Sequence, residues 1–185
     1  MTSVIILAGG GSTRMGRPKS LLPVEGGTLL GAHLASYRGL VDDMVVVGGA
    51  EMDRLQPVCE AHGARLVENR DWSTTMPIES LRIGVSEICG ERCVVTPVDT
   101  VPVNSDDLRA LLACSTSAVL THQGKPGHPV LIGSSALNQF RSGAAVSSLR
   151  DLLFGATPVE SAYSSVLLNF NRPLDWQNWA NRDEL

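Results

Sequence analysis

The sequence predicts an α/β fold in which helices cover both faces of a mostly parallel sheet. Short apolar, β-branched runs alternate along the chain with segments of helical periodicity. The strand-like runs are continuously apolar, as expected for strands that are buried on both faces of a sheet. The 185 residues and 43% apolar content suit one globular domain, so we expect residues 1–185 to form a single domain.

The elements follow from the position of each apolar run and of the residues that end it. Strands are predicted at residues 4–7, 44–47, 65–67, 93–98, 118–120, 129–132 and 166–170. Helices are predicted at residues 29–40, 55–61, 81–88, 104–114, 147–153 and 174–179. Asn104 or Ser105 is a suitable cap for the fourth helix. In open α/β sheets, ligands bind beyond the carboxyl ends of the strands. The rule indicates the loop after Leu7, the loop after Val98 and the segment at Asn169.

The loop after the first strand has the composition of a phosphate-binding loop. It reads LAGGGSTRMGRPKSLLP from Leu7, and Arg14, Arg17 and Lys19 follow three consecutive glycines. Glycines after a strand let backbone N–H groups approach an anion, and such groups carry partial positive charge. This cluster of cations is unusual in a chain whose net charge is -4. We therefore expect the loop to hold phosphates.

Two well-known glycine-loop motifs do not match this stretch. A dinucleotide-binding fingerprint needs a glycine at the sixth position, where Arg14 stands when counting from the first of the three glycines. Gly11 and Gly16 have P-loop spacing, but Arg17 and Pro18 follow instead of Lys and Ser or Thr. An NAD-type oxidoreductase is therefore disfavoured.

A single carboxylate ends the apolar run in VVTPVDTVP. Asp99 at the carboxyl end of a strand, beside a phosphate loop, suits a ligand of Mg²⁺, which prefers oxygen donors. Taken alone, the residue is equally typical of a cap for the next turn, because Pro102 follows closely.

The stretch LAGGGSTRMGRPKSLLPVEGGTLL resembles the signature of the MobA/MocA-like molybdenum-cofactor nucleotidyltransferase family, and weaker similarity extends to Asp175. The resemblance implies a three-layer α/β/α Rossmann-like nucleotidyltransferase fold and Mg²⁺-dependent transfer of a nucleotide. It implies that Leu7, Ala8 and Gly9 frame the base, and that Lys19 neutralises charge during transfer. The residues that would grip the triphosphate are Gly10, Gly11, Ser12 and Arg14.

The resemblance also indicates which residues bind the metal. It makes Asp99 a metal ligand and, through the stretch LLNFNRPLDW, adds Asn169 as a second contact. Arg172 and Leu174 depart from the Thr and Glu of the family pattern. The same stretch is equally typical of the first turn of a helix, because a proline and Asp175 stand where a helix would begin.

Two further segments resemble the family where the acceptor and the base would bind. In ENRDWSTTMPIESLRIGV, Ser80 could contact the base or the acceptor phosphate, or could simply cap a helix, and Thr75 replaces a usual glycine. GKPGHPVLIG resembles the cytidylyl-type branch, in which His128 could contact the acceptor phosphate or the pterin. A lone histidine before a strand is also common as a structural residue. The tryptophans are most simply packing residues.

The resemblance favours transfer of CMP from CTP to molybdopterin, with GTP as the next donor. Other acceptors in the wider group are sugar 1-phosphates and phosphocholine, and a molybdoenzyme is a possible partner for the product. The departures at Thr75, Arg172 and Leu174 motivate an alternative, a carrier that binds the nucleotide or cofactor without turnover.

Composition excludes several other classes. No apolar stretch reaches the roughly 20 residues of a membrane span, and an acidic chain disfavours bulk binding of nucleic acid. We therefore expect a cytoplasmic protein whose partners are small molecules. The four cysteines lack a zinc signature and are expected to be reduced thiols.

Overall fold

The computed structural model describes residues 1–11 and 15–180, which form one central sheet with helices on both faces. Its seven strands are β1 (Thr2–Leu7), β4 (Asp43–Gly48), β5 (Arg65–Glu68), β6 (Arg92–Pro97), β7 (Ala118–His122), β8 (Lys125–Ile132) and β9 (Thr157–Glu160). Two short strands, β2 (Pro23–Val24) and β3 (Gly27–Thr28), form a separate hairpin. The α/β class expected from the sequence is confirmed.

The sheet is mostly parallel and has the order β5-β4-β1-β6-β8-β7-β9. In its centre, β1 pairs in parallel with both β4 and β6, so that Leu7 lies opposite Val47 and Pro97. Strand β8 runs the other way and pairs antiparallel with β6 and β7. The beginning of β8 therefore lies at the edge of the sheet where the other strands end.

The helices divide between the two faces. Their bounds are α1 (Leu29–Tyr37), α2 (Met52–His62), α3 (Pro77–Glu87), α4 (Ser105–Leu112), α5 (Ser134–Arg141), α6 (Leu149–Leu152) and α7 (Pro173–Ala180). One core cluster joins the sheet to α1, α2 and α4, and a second joins it to α3, α5 and α6. Consecutive residues of β1 alternate between them, since Val4 and Ile6 lie in the first cluster and Ile5 lies in the second. The sheet is thus the middle of three layers.

Local sequence explains where several helices begin. The side chain of Asn104 accepts a hydrogen bond of 2.9 Å from the backbone N–H of Asp107, which makes Asn104 the cap of α4. Pro77 opens α3, four residues before the predicted start at Leu81, and proline suits the first turn because it lacks an N–H that would stay unpaired. Ser80 consequently lies within the first turn of α3 and not ahead of the helix.

The predicted strand at residues 166–170 is wrong. The chain forms a short 3-10 helix at Ser164–Leu167, and only an isolated bridge between Thr100 and Asn169 remains of the pairing. The apolar residues in this stretch are buried against the core and not built into the sheet: Val166 is 6% exposed and Phe170 is 1% exposed. A short apolar run indicates burial without distinguishing a strand from other buried backbone.

The lengths of the helices and the state of the cysteines can be compared with what composition led us to expect. No described helix combines the length and the apolar character that a bilayer crossing needs. All four cysteines are free thiols, with Cys59 and Cys93 buried and Cys89 exposed.

Candidate functional site

The carboxyl ends of β1, β4 and β6 meet at one edge of the sheet and create the site. The backbone ladder continues past the strands, because Ala8 N–H donates to Val47 at 2.8 Å and Val98 N–H donates to Leu7 at 2.9 Å. The glycine loop after Leu7 and the Asp99 loop after Pro97 are therefore neighbours. This agrees with the position expected for ligands in parallel sheets.

The glycine loop packs closely against an aromatic ring. A Cβ atom on Gly11 would lie 2.7 Å from atoms Cη2 and Cζ3 of Trp72, and one on Gly49 would lie 2.5 Å from Cβ of the same residue. Around Gly10, a Cβ would meet nothing within 4 Å. Trp72 is therefore part of the wall of the site, and a side chain at Gly11 would displace either the ring or the loop.

A small hydrogen-bonded network forms the wall beside Gly9. Asn69, which is 3% exposed, donates from Nδ2 to Ser80 Oγ at 2.9 Å and to Thr75 Oγ1 at 3.1 Å. Ser80 Oγ lies 3.7 Å from the position that a Cβ of Gly9 would take. Thr75 thus replaces the usual glycine of the family pattern with a hydroxyl that holds this loop. Asn69 is a residue whose role the sequence did not reveal.

An ion pair and an amide form the charged centre of the site. Lys19 Nζ donates to Asp99 Oδ2 at 2.7 Å and to Asn171 Oδ1 at 3.2 Å. The two charged side chains are 16% and 27% exposed, so the pair is only partly screened by water. Asp99 and Asn171 follow Lys19 by 80 and 152 positions in the sequence, so distant segments of the chain meet here.

Packing explains how these distant segments meet. Leu22, three residues after Lys19, and Phe170, next to Asn171, belong to one apolar cluster with Trp176 of α7. The rings of Phe170 and Trp176 lie edge to face, with centroids 5.6 Å apart. The cluster lies outside the two main cores and joins the start and the end of the chain.

The structure places Asn169 and Asn171 differently. Asn169 forms the bridge to Thr100 and lines a cavity of about 160 Å³ with residues of α7, while the side chain of Asn171 contacts Lys19. Asp175 accepts hydrogen bonds from the backbone N–H of Asn171 at 3.0 Å and of Arg172 at 2.8 Å, which caps α7. The role of Asn169 as a metal ligand stays a prediction. Asn171 is a second candidate for that role, and the spacing of two asparagines before a proline could have revealed it.

The backbone of the Asp99 loop is held on several sides. The N–H of Phe170 donates to the carbonyl of Asp99 at 2.7 Å, and Thr100 Oγ1 donates to the carbonyl of Pro97 at 2.8 Å. From α1, Nε2 of the buried His33 lies 3.0 Å from the carbonyl oxygen of Thr100. Burial lowers the pKa of His33 to about 4, although the carbonyls of Thr100 and Val98 and the charge of Asp99 raise it. His33 is therefore neutral at pH 7.

His128 lies at the same edge because β8 is reversed. Val130 pairs with Val95, so His128, two residues earlier, lies beside the end of β6. Burial lowers the pKa of His128, and the nearby negative charge of Asp99 raises it. Its Nδ1 atom is buried without a hydrogen-bond partner among the described residues. The predicted acceptor residue thus borders the charged centre.

Two predicted residues, Ser12 and Arg14, lie outside the described residues. The structure brings together the other predicted positions: the strand end at Leu7, the glycines that follow it, Lys19, Asp99, Ser80 and His128.

The oxygen donors fit a hard divalent cation that is bound jointly with a substrate. Within residues 1–11 and 15–180, no group of three or more His, Cys, Asp and Glu side chains could hold a metal ion. The site offers the carboxylate of Asp99 and the amide oxygen of Asn171. Mg²⁺ in nucleotide sites is commonly held by one or two carboxylates together with substrate phosphates and water. The donor set does not suit zinc, which prefers thiolate and imidazole ligands.

Comparison with known proteins identifies a family and several relatives of similar sequence. The family model described as the MobA-like NTP transferase domain matches residues 4–160. The molybdenum cofactor cytidylyltransferase of Escherichia coli (strain K12) is 27% identical over 93% of this chain and 92% of its own length. The molybdenum cofactor guanylyltransferase of Ectopseudomonas mendocina (strain ymp) is 32% identical over 69% of this chain and 63% of its own length.

Solved structures share the fold over nearly the whole chain. A nucleotidyl transferase from Methanothermobacter thermautotroptrophicus superposes with a TM-score of 0.81 at 23% identity, covering 98% of this chain and 96% of that one. A Mycobacterium tuberculosis protein solved in complex with manganese gives a TM-score of 0.77 at 19% identity, covering 97% of both chains. At these identities the likeness establishes the three-layer fold.

Proposed function

Because this chain belongs to the family of MobA-like NTP transferase domains, we propose that it moves an NMP from an NTP to a phosphorylated acceptor and releases pyrophosphate. CTP is the favoured donor and molybdopterin or the molybdenum cofactor is the favoured acceptor. The Escherichia coli relative named as a cytidylyltransferase supports CTP, since it aligns over 93% of this chain. The guanylyltransferase relative makes GTP the second donor. A molybdoenzyme would then receive the product.

The contact that carries this proposal is the Lys19–Asp99 ion pair at 2.7 Å, beside the glycine loop. A cation next to a run of backbone N–H groups suits a triphosphate, and a carboxylate at the same point suits the metal that accompanies it.

The reaction needs no nucleophile from the protein. An oxygen of the acceptor phosphate attacks the α-phosphorus of the NTP, a new P–O bond forms, and the bond from the α-phosphorus to its bridging oxygen breaks. The electron pair of that bond leaves with pyrophosphate. The chain supplies positioning and positive charge, as in phosphoryl transfer generally. Backbone N–H groups at Gly10 and Gly11, with Arg14, hold the triphosphate, and Lys19 neutralises charge on the transferring and leaving groups.

Asp99 would bind the metal, and the neighbouring His128 would face the acceptor. Asp99, with the amide of Asn169 or Asn171, would hold Mg²⁺, which when bound there neutralises negative charge on the phosphates. The Mycobacterium tuberculosis protein solved with manganese is consistent with a divalent ion in this fold. His128 borders Asp99 from β8 and would contact the acceptor phosphate or the pterin. Ser80 and the network around Asn69 lie on the opposite side, near Gly9, where the base would bind.

The proposal is tested by measuring pyrophosphate release from CTP, GTP, ATP and UTP, each with Mg²⁺ and molybdopterin. Asp99→Ala is expected to cost about 3–5 kcal/mol of transition-state stabilisation, which is a rate loss of roughly 10²- to 10⁴-fold. The matched control is Asp106→Ala, which removes an exposed carboxylate from the first turn of α4 and should keep the wild-type rate.

Wild-type turnover in Asp99→Ala would contradict the role of Asp99. An NTP that binds but releases no pyrophosphate with any acceptor would instead identify a carrier. Turnover with a sugar 1-phosphate or phosphocholine in place of molybdopterin would keep the reaction class and change the acceptor.

A further inference from the structure

We propose that His33 of α1 is a positioning residue that holds the Asp99 loop in the geometry needed to bind the metal. The inference rests on the proposed function for its metal-binding consequence. The hydrogen bond between His33 and the loop is observed independently of that function.

The position of His33 is one where an apolar residue would be expected. The side chain is 0% exposed, and its neighbours on α1 that belong to the core are Leu30, Leu34 and Tyr37. A histidine here keeps two ring nitrogens away from water, which is costly for any nitrogen without a partner. The choice of histidine therefore needs a reason other than packing.

The geometry determines which nitrogen carries the proton. Nε2 lies 3.0 Å from the carbonyl oxygen of Thr100, and a carbonyl can only accept a hydrogen bond. In a neutral ring only one nitrogen carries a proton, so Nε2 is the donor and Nδ1 keeps a lone pair. Nδ1 is buried and has no hydrogen-bond partner among the described residues. One ring nitrogen is thus used for the loop and the other is left unpaired.

The bond to Thr100 completes the support of Asp99 from the helical side. Asp99 and its neighbours are held by Leu7 of β1, through Val98, and by Phe170 from the end of the chain. His33 on α1 adds a contact to the carbonyl of Thr100, the residue that follows Asp99. The backbone on both sides of Asp99 is then fixed, which sets the position of the Cα atom from which the carboxylate reaches the site. Groups that orient metal ligands commonly affect metal affinity by about 10- to 100-fold when removed.

Three substitutions separate this bond from the packing of the side chain. His33→Gln can place an amide N–H near the position of Nε2, His33→Asn can place one only near Nδ1, and His33→Leu fills the space without a donor. We expect Leu and Asn to weaken the binding of Mn²⁺, measured by electron paramagnetic resonance with CTP present, by about tenfold, and Gln to retain it. His33→Leu removes both ring nitrogens but leaves the carbonyl of the buried Thr100 without its donor, so we expect it to fold with a lowered free energy of unfolding.

Amide hydrogen exchange supplies a readout that does not depend on catalysis. The amides of Thr100 and Phe170 should exchange faster in the Leu and Asn variants, while those in the middle of β1 should keep their protection. The matched control for His33→Leu is His122→Leu, which also removes a contact between a histidine and a backbone carbonyl, because Nδ1 of His122 lies 3.0 Å from the carbonyl of Ser161. This control should change neither metal affinity nor exchange at Thr100.

The outcomes are distinguishable. Unchanged exchange at Thr100 and Phe170 in His33→Leu would overturn the positioning role, as would a His33→Gln variant as impaired as His33→Leu. If the wild-type protein bound no Mn²⁺, the proposed function would fail, and faster exchange in the variants would still support the role of His33 in holding the loop. Should the variants not fold, the protonation of the His33 imidazole in the wild-type protein tests the proposal. Nitrogen NMR is expected to show the proton on Nε2, and a proton on Nδ1 would contradict the proposal.

Discussion

Single side chains define what this site can hold. Asp99, Lys19 and Asn171 provide one carboxylate, one ammonium group and one amide oxygen at hydrogen-bond distance. Asp99 and Lys19 could be predicted from the sequence because each follows a recognisable strand end or glycine loop. The spacing of the two asparagines could indicate an amide at this point, but only the structure shows that Asn171, and not Asn169, contacts Lys19. His33 could not be predicted, because its role depends on a contact between segments that no local pattern connects.

Trp72 and Gly11 should be energetically coupled in nucleotide binding. A Cβ on Gly11 would lie 2.7 Å from the ring of Trp72, so Gly11→Ala must displace either the ring or the loop. We expect CTP to bind about tenfold more weakly, which corresponds to about 1.4 kcal/mol. In a Trp72→Ala background the obstacle is absent, and the same change at Gly11 should cost less.

Isothermal titration of the wild-type protein, the two single variants and the double variant measures this coupling. For residues in direct contact the expected interaction energy is about 0.5–3 kcal/mol. Strictly additive effects would show that the contact between the ring and the loop has no part in binding.

The elements were predicted best where an apolar pattern is continuous and buried. The central strands β1, β4 and β6 agree with the sequence to within two residues at each end. Helix α5 was not predicted, because only Leu137 and Phe140 of its eight residues are buried and the rest are largely polar. Strand β9 is an edge strand with mostly exposed residues, and it has no apolar run to reveal it.

Helix α3 should be sensitive to a single added methyl group. A Cβ on Gly84 would lie 2.7 Å from Cγ2 of Ile5 and 3.0 Å from Cγ2 of Val47, so the helix approaches the sheet through this glycine. Helix propensity favours alanine over glycine by about 1 kcal/mol, whereas overpacking a core costs about 1–3 kcal/mol. Overpacking should win, and Gly84→Ala is expected to lower the free energy of unfolding by about 1 kcal/mol.

Urea denaturation tests this expectation. The control is Ser86→Ala on the exposed side of the same helix, which should change the free energy of unfolding by no more than about 0.5 kcal/mol. A Gly84→Ala protein as stable as the wild type, or more stable, would show that the sheet moves away at little cost.

At the scale of the whole molecule, the sequence predicted the class of fold, and it also indicated the edge of the sheet where the candidate site lies. It did not predict the direction of β8. Strand direction depends on pairing partners, which are far apart in the chain, and an apolar run looks the same in either direction. The reversal matters because it brings His128 to the site from the start of a strand.

The layered core should control the reactivity of the thiols. Burial, with the charge of Glu60, raises the pKa of Cys59 to about 11, and burial raises that of Cys93 to about 12 against the lowering effect of Arg141. Since the thiolate is the reactive form, both should resist a thiol reagent at pH 8 until the protein unfolds globally. The exposed Cys89 should react at once.

Mass spectrometry after labelling at increasing urea concentration follows these sites separately. Labelling of Cys93 is expected to rise only with the global unfolding transition, because Cys93 lies in the central strand β6. Labelling of Cys93 well below that transition, while Cys59 in the other core cluster stays protected, would mean that the two faces of the sheet open independently.

The convergence of Lys19, Asp99 and Asn171 also has a consequence for synthesis on the ribosome. The amide that contacts Lys19 is made 152 residues after it, whereas the strands that hold Lys19 and Asp99 in place emerge much earlier. A nascent chain can therefore build most of the sheet before its charged centre is complete. A partly made chain would present a glycine loop without the amide of Asn171, so the finished site appears only when translation of this region ends.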